Sequence, residues 1–126
     1  MNYLLDTHTL LWSMFKDEML SDKVRTIVEN DEVLYVSVVS LWEIAIKQSL
    51  GKLEFKQSVV DIATECYRQD IRLLDIRPEH CEIIKNLDTI HSDPFDRMII
   101  SQAMAEKLAI ISKDAKIAQY PVDCIW

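Results

Sequence analysis

Short, mostly apolar runs recur along this chain, and segments of helical period separate most of them. No other feature restricts the fold as much. Tyr3-Leu4-Leu5, Val33–Ser37, Arg72–Ile76, Leu108–Ser112 and Val122–Ile125 read as buried strands. Between them lie stretches with helix punctuation. A short helix spans Thr9–Phe15, and Ser21-Asp22 caps one running to Asn30. Val38–Leu50 ends at Gly51 as at a glycine C-cap, and Ser58–Gln69 follows. Pro78 opens a helix to Asn86, and Asp93-Pro94 opens a last one through Lys107. Strands that alternate with helices imply a parallel sheet with right-handed crossovers. The predicted fold is therefore α/β, a three-layer α/β/α sandwich around a central parallel sheet of four to five strands. With 126 residues and no linker, repeat or low-complexity stretch, residues 1–126 read as one domain.

Gly51 is the only glycine. Dinucleotide fingerprints, P-loops and nucleophile elbows need several glycines, where backbone must approach a phosphate or turn sharply, so those classes are excluded. Cys66, Cys81 and Cys124 are widely spaced, odd in number and lack a Cys-x-x-Cys pair. Reduced, mostly buried thiols are expected in place of a zinc knuckle or disulfide framework. The N-terminus has no basic region, and Asp6 interrupts its apolar run at once, unlike a signal peptide. No apolar stretch approaches the roughly 20 residues of a spanning helix. A soluble, cytoplasmic protein without a membrane partner is expected. Fourteen basic against 21 acidic residues give a net charge of −7, which opposes a polyanionic partner unless cations intervene. Two bound divalent ions would bring −7 to −3 and set the local potential themselves.

Ligands of open α/β sheets bind at the carboxyl ends of the strands. Asp6 immediately follows the first predicted strand, and Asp114 lies two residues past the fourth. Glu43 sits in the second turn of the helix leaving the second strand, on an apolar stripe with Val39, Ile46 and Leu50. A carboxylate there costs several kcal/mol without a compensating cation or proton. Asp96 begins the helix that feeds the fourth strand, on one face with Ile99, Ile100 and Ala103. Four acids from four distant segments thus project toward one rim, which mutual repulsion forbids unless something positive sits between them. Hard oxygen ligands select Mg²⁺ or Mn²⁺ over zinc, as one or two ions. A pair of such ions can activate water and stabilise the leaving oxygen of a phosphodiester.

Each acid also has a plainer role. Asp6 can cap the following helix, and Glu43 can pair with Lys47 one turn on. Asp96 falls at N3 of a helix capped by Asp93, where an acid suits the dipole. Asp114 can sit in the first turn of a further helix. Convergence outweighs these separate readings.

The same residues resemble the PIN-domain family, and more narrowly the VapC-type ribonuclease toxins of bacterial toxin–antitoxin pairs. The likeness covers essentially the whole chain. It rests on Tyr3-Leu-Leu-Asp6-Thr-His8, on Ser40-Leu-Trp-Glu43-Ile-Ala-Ile-Lys47 and on His91-Ser-Asp-Pro-Phe-Asp96-Arg-Met-Ile-Ile. Ile110-Ile-Ser-Lys-Asp114 and the tail Tyr120–Trp126 complete it. The His-x-Asp-Pro-Phe-Asp-Arg string is the most specific piece. The resemblance implies an α/β/α sandwich, dependence on Mg²⁺ or Mn²⁺ and single-stranded or structured RNA as substrate. It further implies a homodimer neutralised by a small cognate antitoxin protein. Asp6, Glu43, Asp96 and Asp114 match the metal-binding catalytic acids. Thr7 and Ser112 resemble hydroxyls that orient carboxylates, and Asp93 supports from outside the acid cluster.

Arg97 reads as an ion pair with a neighbouring acid, or as a phosphate contact. Lys47, Lys52, Lys113 and Lys116 are the basic RNA-contact candidates, with a solvated face as the default for each. His8 and His91 adjoin the acids and read as hydrogen-bonded support before ligand or acid/base roles. Trp12, Trp42 and Phe95 read as core or dimer packing before base stacking. Two other functions compete with the nuclease. A small-molecule phosphohydrolase with Asp6 as covalent nucleophile would usually carry Asp-x-Asp, whereas Asp6-Thr7-His8 stands here. The other is a metal- or partner-binding module that cuts nothing, against which the intact set of acids argues.

Overall fold

The computed structural model describes residues 1–30 and 32–126. Five strands form one sheet, β1 (Asn2–Leu5), β2 (Val33–Ser37), β3 (Ile71–Leu74), β4 (Ala109–Ile111) and β5 (Cys124–Ile125), ordered β3-β2-β1-β4-β5 and parallel throughout. Six helices flank it: α1 (Thr7–Phe15), α2 (Asp22–Glu29), α3 (Val38–Ser49), α4 (Val59–Arg68), α5 (Pro78–Lys85) and α6 (Pro94–Glu106). The expected three-layer sandwich is present, with all five strands in it.

Why β1 is an unbroken apolar run follows from its place at the centre, where both faces are covered. Tyr3 and Leu5 pack into one core with Leu10 and Leu11 of α1, Ile44 of α3 and Ile62 of α4. Leu4 points the other way, into a core with Ile99, Ile100 and Ala103 of α6. β4 alternates in step, with Ala109 and Ile111 toward the first core and Ile110 toward the second. A wholly buried Leu or Ile contributes about 1.5–3 kcal/mol, so two filled layers hold the short strands in place.

Helix ends follow local chemistry. Ser21 and Ser58 cap α2 and α4 through their hydroxyls, and Asp93 caps α6 by accepting from Phe95 N and Asp96 N. α3 closes as predicted at Gly51. Gly51 N–H donates to Gln48 O and Lys52 N–H to Lys47 O, a pairing that needs Gly51 at its φ of +68°. With no second glycine to spend, the turns after α4 and α6 place Asp70 (φ 57°) and Lys107 (φ 55°) in the left-handed region. Each carries a steric cost of about 1–2 kcal/mol.

Some boundaries differ from expectation. β3 starts one residue earlier and ends two earlier than predicted, and β5 is only two residues long. Both are edge strands, paired on one side only, where pairing rather than hydrophobicity sets the ends. Asp17–Met19 and Ile117–Gln119 form 3-10 turns, too short for helical periodicity to register. The thiols are all free, but only Cys66 is buried; Cys124 is half-buried and Cys81 exposed. Burial and the neighbouring Glu65 push the Cys66 thiol up to about 11, so it behaves as an inert core residue. Among the described residues, no helix is long and apolar enough to cross a membrane.

Candidate active site

The chain runs from β1 outward through β2 to β3, then returns to place β4 on the other side of β1. That reversal leaves a crevice beyond the carboxyl ends of β1 and β4, where no crossover covers the sheet. Asp6 leaves β1 and Ser112–Asp114 leave β4, so both reach the crevice by position alone. A cleft of about 360 Å³ opens there, lined by Asp6, His8, Trp12, Asp96, Lys113 and Asp114.

Asp6 is buried and fixed at both oxygens. Oδ1 accepts from Thr9 N at 2.8 Å, capping α1, and Oδ2 accepts from the Ser112 hydroxyl. The cap expected for Asp6 is therefore formed, and it coexists with a place in the cleft. The Thr9 hydroxyl donates to Ile111 O at 2.9 Å, tying the start of α1 to the end of β4. Glu43 lies behind this group at 3% exposure. The Thr7 hydroxyl donates to its Oε1 at 2.6 Å and shares a hydrogen bond with the Ser40 hydroxyl at 2.9 Å. Lys47 Nζ takes its Oε2 at 2.6 Å. Lys47 thus serves the helical ion pair instead of standing free at the mouth. The apolar stripe around Glu43 holds at Val39 but not at Leu50, which is exposed.

Asp96 enters from the first turn of α6. Burial pushes its carboxyl up to about 7, with Asp93, Glu43 and Asp6 raising it further and His91 opposing them. Asp114 behaves differently. Burial alone would raise it, but hydrogen bonds from His91 and the Lys116 backbone N–H, with the charges of the same two residues, hold it below the usual carboxylate value. His91 joins the two acids. Its Nδ1 accepts from Asp93 N at 3.2 Å, which leaves Nε2 as the ring nitrogen facing the two acids. That Nε2 lies 2.8 Å from Asp114 Oδ2 and 3.1 Å from Asp96 Oδ2.

The loop before α6 is braced from two directions. Arg97 donates to the carbonyls of Leu87, Asp88 and His91, and the Tyr120 hydroxyl accepts from His91 N while donating to Asp88 O. Arg97 is therefore a brace for the His91 loop, paired with no acid among the described residues and not among those lining the cleft. Sequence reasoning missed both Ser40 and the bridging position of His91. A hydroxyl one turn before Glu43 was a signal for the first, and nothing local was a signal for the second. Lys113 lines the cleft; Lys52 and Lys116 are exposed. Of the three aromatics read as core or dimer packing, Trp12 packs against the first core, whereas Trp42 is 58% exposed and packs edge-on against the half-buried Phe95, outside both cores.

The donor set suits a hard divalent cation. Asp96, Asp114 and His91 each offer an atom within 4.8 Å of the others', and Asp6 lines the same cleft. Carboxylates dominate, with the imidazole Nε2 hydrogen-bonded to Asp114 and 3.1 Å from Asp96 Oδ2. Such oxygen ligation favours Mg²⁺ or Mn²⁺.

The Thr7–Glu43 bond has a measurable consequence. Thr7→Val leaves a buried carboxylate oxygen without its donor and should cost about 1–3 kcal/mol in denaturant unfolding. A double-mutant cycle with Glu43→Gln should return most of that as coupling. Independent, additive effects would mean that Thr7 does not hold Glu43.

The PIN domain family model matches residues 3–123. No curated protein matches the chain. Among solved structures, the chain is similar to VapBC2 from Rickettsia felis bound to a DNA fragment from its promoter, with 16% identity and a TM-score of 0.72 over 98% of this chain and 97% of that one. It is also similar to VapBC-1 from nontypeable Haemophilus influenzae (20% identity, TM-score 0.70, 98% and 96% covered). A toxin–antitoxin complex from Klebsiella pneumoniae is a third such structure (14%, 0.64, 98% and 96%).

Proposed function

The chain belongs to the PIN domain family, and from that footing we propose that it is a metal-dependent endoribonuclease, the toxin of a toxin–antitoxin pair. One observation carries the reading. Asp6, Asp96 and Asp114 line a single cleft at the sheet's switch point, and Asp96 is held there at a charge cost that a hard cation would relieve. Asp6, Asp96 and Asp114 would hold Mg²⁺ or Mn²⁺, with Glu43 adding negative charge from behind. When bound, the cation supplies a lowered pKa for water and a counter-charge for the leaving oxygen of a phosphodiester.

The chain's own residues do the rest. Ser112 and the Thr9 N–H fix Asp6 in one rotamer, and Thr7 and Lys47 do the same for Glu43. This removes the reorganisation that free carboxylates would require. His91 keeps Asp96 and Asp114 adjacent. Lys113, at the cleft, suits a phosphate flanking the one that is cut. The assemblies named for the similar structures support an antitoxin as partner, and we propose a cytoplasmic homodimer. Without an Asp-x-Asp after β1, a phosphohydrolase using Asp6 as nucleophile has no supporting observation.

The test is direct. Purified chain should cleave cellular RNA at discrete positions with Mg²⁺ or Mn²⁺, read by sequencing the new ends, and excess chelator should stop it. Cleavage indifferent to chelator, or no cleavage of any RNA pool, would overturn the assignment.

A further inference from the structure

The cleft has a second wall that the acids do not explain. His8 and Trp12 lie one turn apart on α1, the helix that Asp6 caps, and both face the cleft. Their ring centroids are 5.7 Å apart with planes inclined by 32°. Trp126 meets Trp12 edge-on at 5.7 Å and an interplanar angle of 64°, which backs the indole with a second aromatic. His8 is exposed and Trp12 only half-buried, so both keep surface toward the opening. An aromatic wall so braced, beside a cluster of carboxylates and a lysine, matches the two halves of a nucleotide. The carboxylates and their cation suit the phosphodiester, and the rings suit a planar base. At about 360 Å³ the cleft also falls within the range of small-molecule sites.

We propose that His8 and Trp12 form a stacking platform for one unpaired nucleobase, so that RNA is held single-stranded or looped where its phosphodiester meets Asp6, Asp96 and Asp114. This rests on the nuclease reading above. A paired base within a helix cannot lay its face on a side chain, whereas a splayed base can, without regard to its identity. An arginine-bearing peptide would also favour acids beside an aromatic face. Lys113 in the same cleft, and a cation among the acids, oppose that occupant and favour the nucleotide.

The experiment uses the full chain with Ca²⁺ and a short single-stranded 2′-O-methyl oligonucleotide, checked on a gel for integrity. An otherwise identical strand with abasic sites keeps every phosphate and removes the bases. Wild type should bind the base-bearing strand about tenfold to a hundredfold more tightly than the abasic one, with quenching of tryptophan fluorescence. Trp12→Leu, confirmed folded by circular dichroism, should erase that preference and leave abasic binding intact; Trp12→Phe should keep most of it. Equal affinity of wild type for both strands, or a preference unchanged in Trp12→Leu, overturns the platform alone. Binding of neither strand overturns it together with the nuclease reading. Trp12-dependent binding of an arginine peptide but not of the oligonucleotide assigns the wall to a protein partner and overturns the platform.

Discussion

Asp6→Asn should reduce cation-dependent RNA cleavage by at least about a thousandfold while leaving the fold intact. The substitution is nearly isosteric. An asparagine oxygen can still accept from Thr9 N and cap α1, so the local structure has its hydrogen bond. What disappears is the negative charge at the junction of β1 and β4, where the cleft would grip its cation. A lost metal ligand removes several kcal/mol of transition-state stabilisation, and each 1.36 kcal/mol is a factor of ten in rate. Single-turnover cleavage with saturating Mg²⁺, alongside thermal unfolding of both proteins, measures the effect. Near-wild-type cleavage in a folded Asp6→Asn protein would remove the acids from the chemistry. Ser112→Ala tests the neighbouring contact on a smaller scale. Losing a group that orients a ligand typically costs 10–100-fold, which is about the decrease expected here.

Stability of the cation-free chain should fall as pH rises from about 4 to about 7, and Asp96→Asn should flatten that fall. The sign follows from proton binding. Folded Asp96 keeps its proton up to about 7, whereas the unfolded chain releases it near 3.8. Between those values the folded state holds more protons, so its advantage is complete below the lower value and lost as pH rises through the upper one. At 1.36 kcal/mol for each unit, and discounted for the partial exposure of Asp96, the contribution is on the order of 3 kcal/mol. Asp114 acts with the opposite sign and in a lower window. Its carboxyl is held below the ordinary value, so its contribution is present above that value and lost in acid. Urea unfolding in chelator, carried from acid pH through about 7, should therefore peak near pH 4, where the two windows meet. Adding Mg²⁺ at pH 7 should raise the midpoint by mass action in wild type and much less in Asp96→Asn. A flat profile, or an equal Mg²⁺ response in both proteins, would mean that Asp96 neither holds its proton nor meets the cation.

Both results bear on how the site is assembled. The three acids at the cleft are pre-positioned by neutral or cationic donors: Ser112 for Asp6, and His91 for Asp96 and Asp114. Glu43 is more strongly committed, with Thr7 and Lys47 on its two oxygens. Its charge still reaches Asp96 and helps to raise it. Glu43 therefore acts on the cleft as a field from behind, whatever its share in direct coordination.

Much of this was written locally in the chain. Mostly apolar runs became strands because the sheet is covered on both faces, and Ser21, Ser58, Asp93 and Gly51 punctuated helices through bonds to residues a few positions away. Asp6 was legible for the same reason, since the residue leaving a central strand must emerge at its carboxyl edge. Edge strands β3 and β5 were read less well, because they depend on a partner strand distant in sequence. His91 was legible as hydrogen-bonded support beside the acids, but not as the bridge between two of them. Its place between Asp96 and Asp114 depends on Arg97 and on Tyr120, 29 residues away, holding one loop. Capping and periodicity act within a turn or two and can be read from a short window of sequence. Which carboxylate keeps its proton, and which lysine is consumed by a buried acid, depends on burial and on charges brought together from four segments. Only the folded chain supplies those.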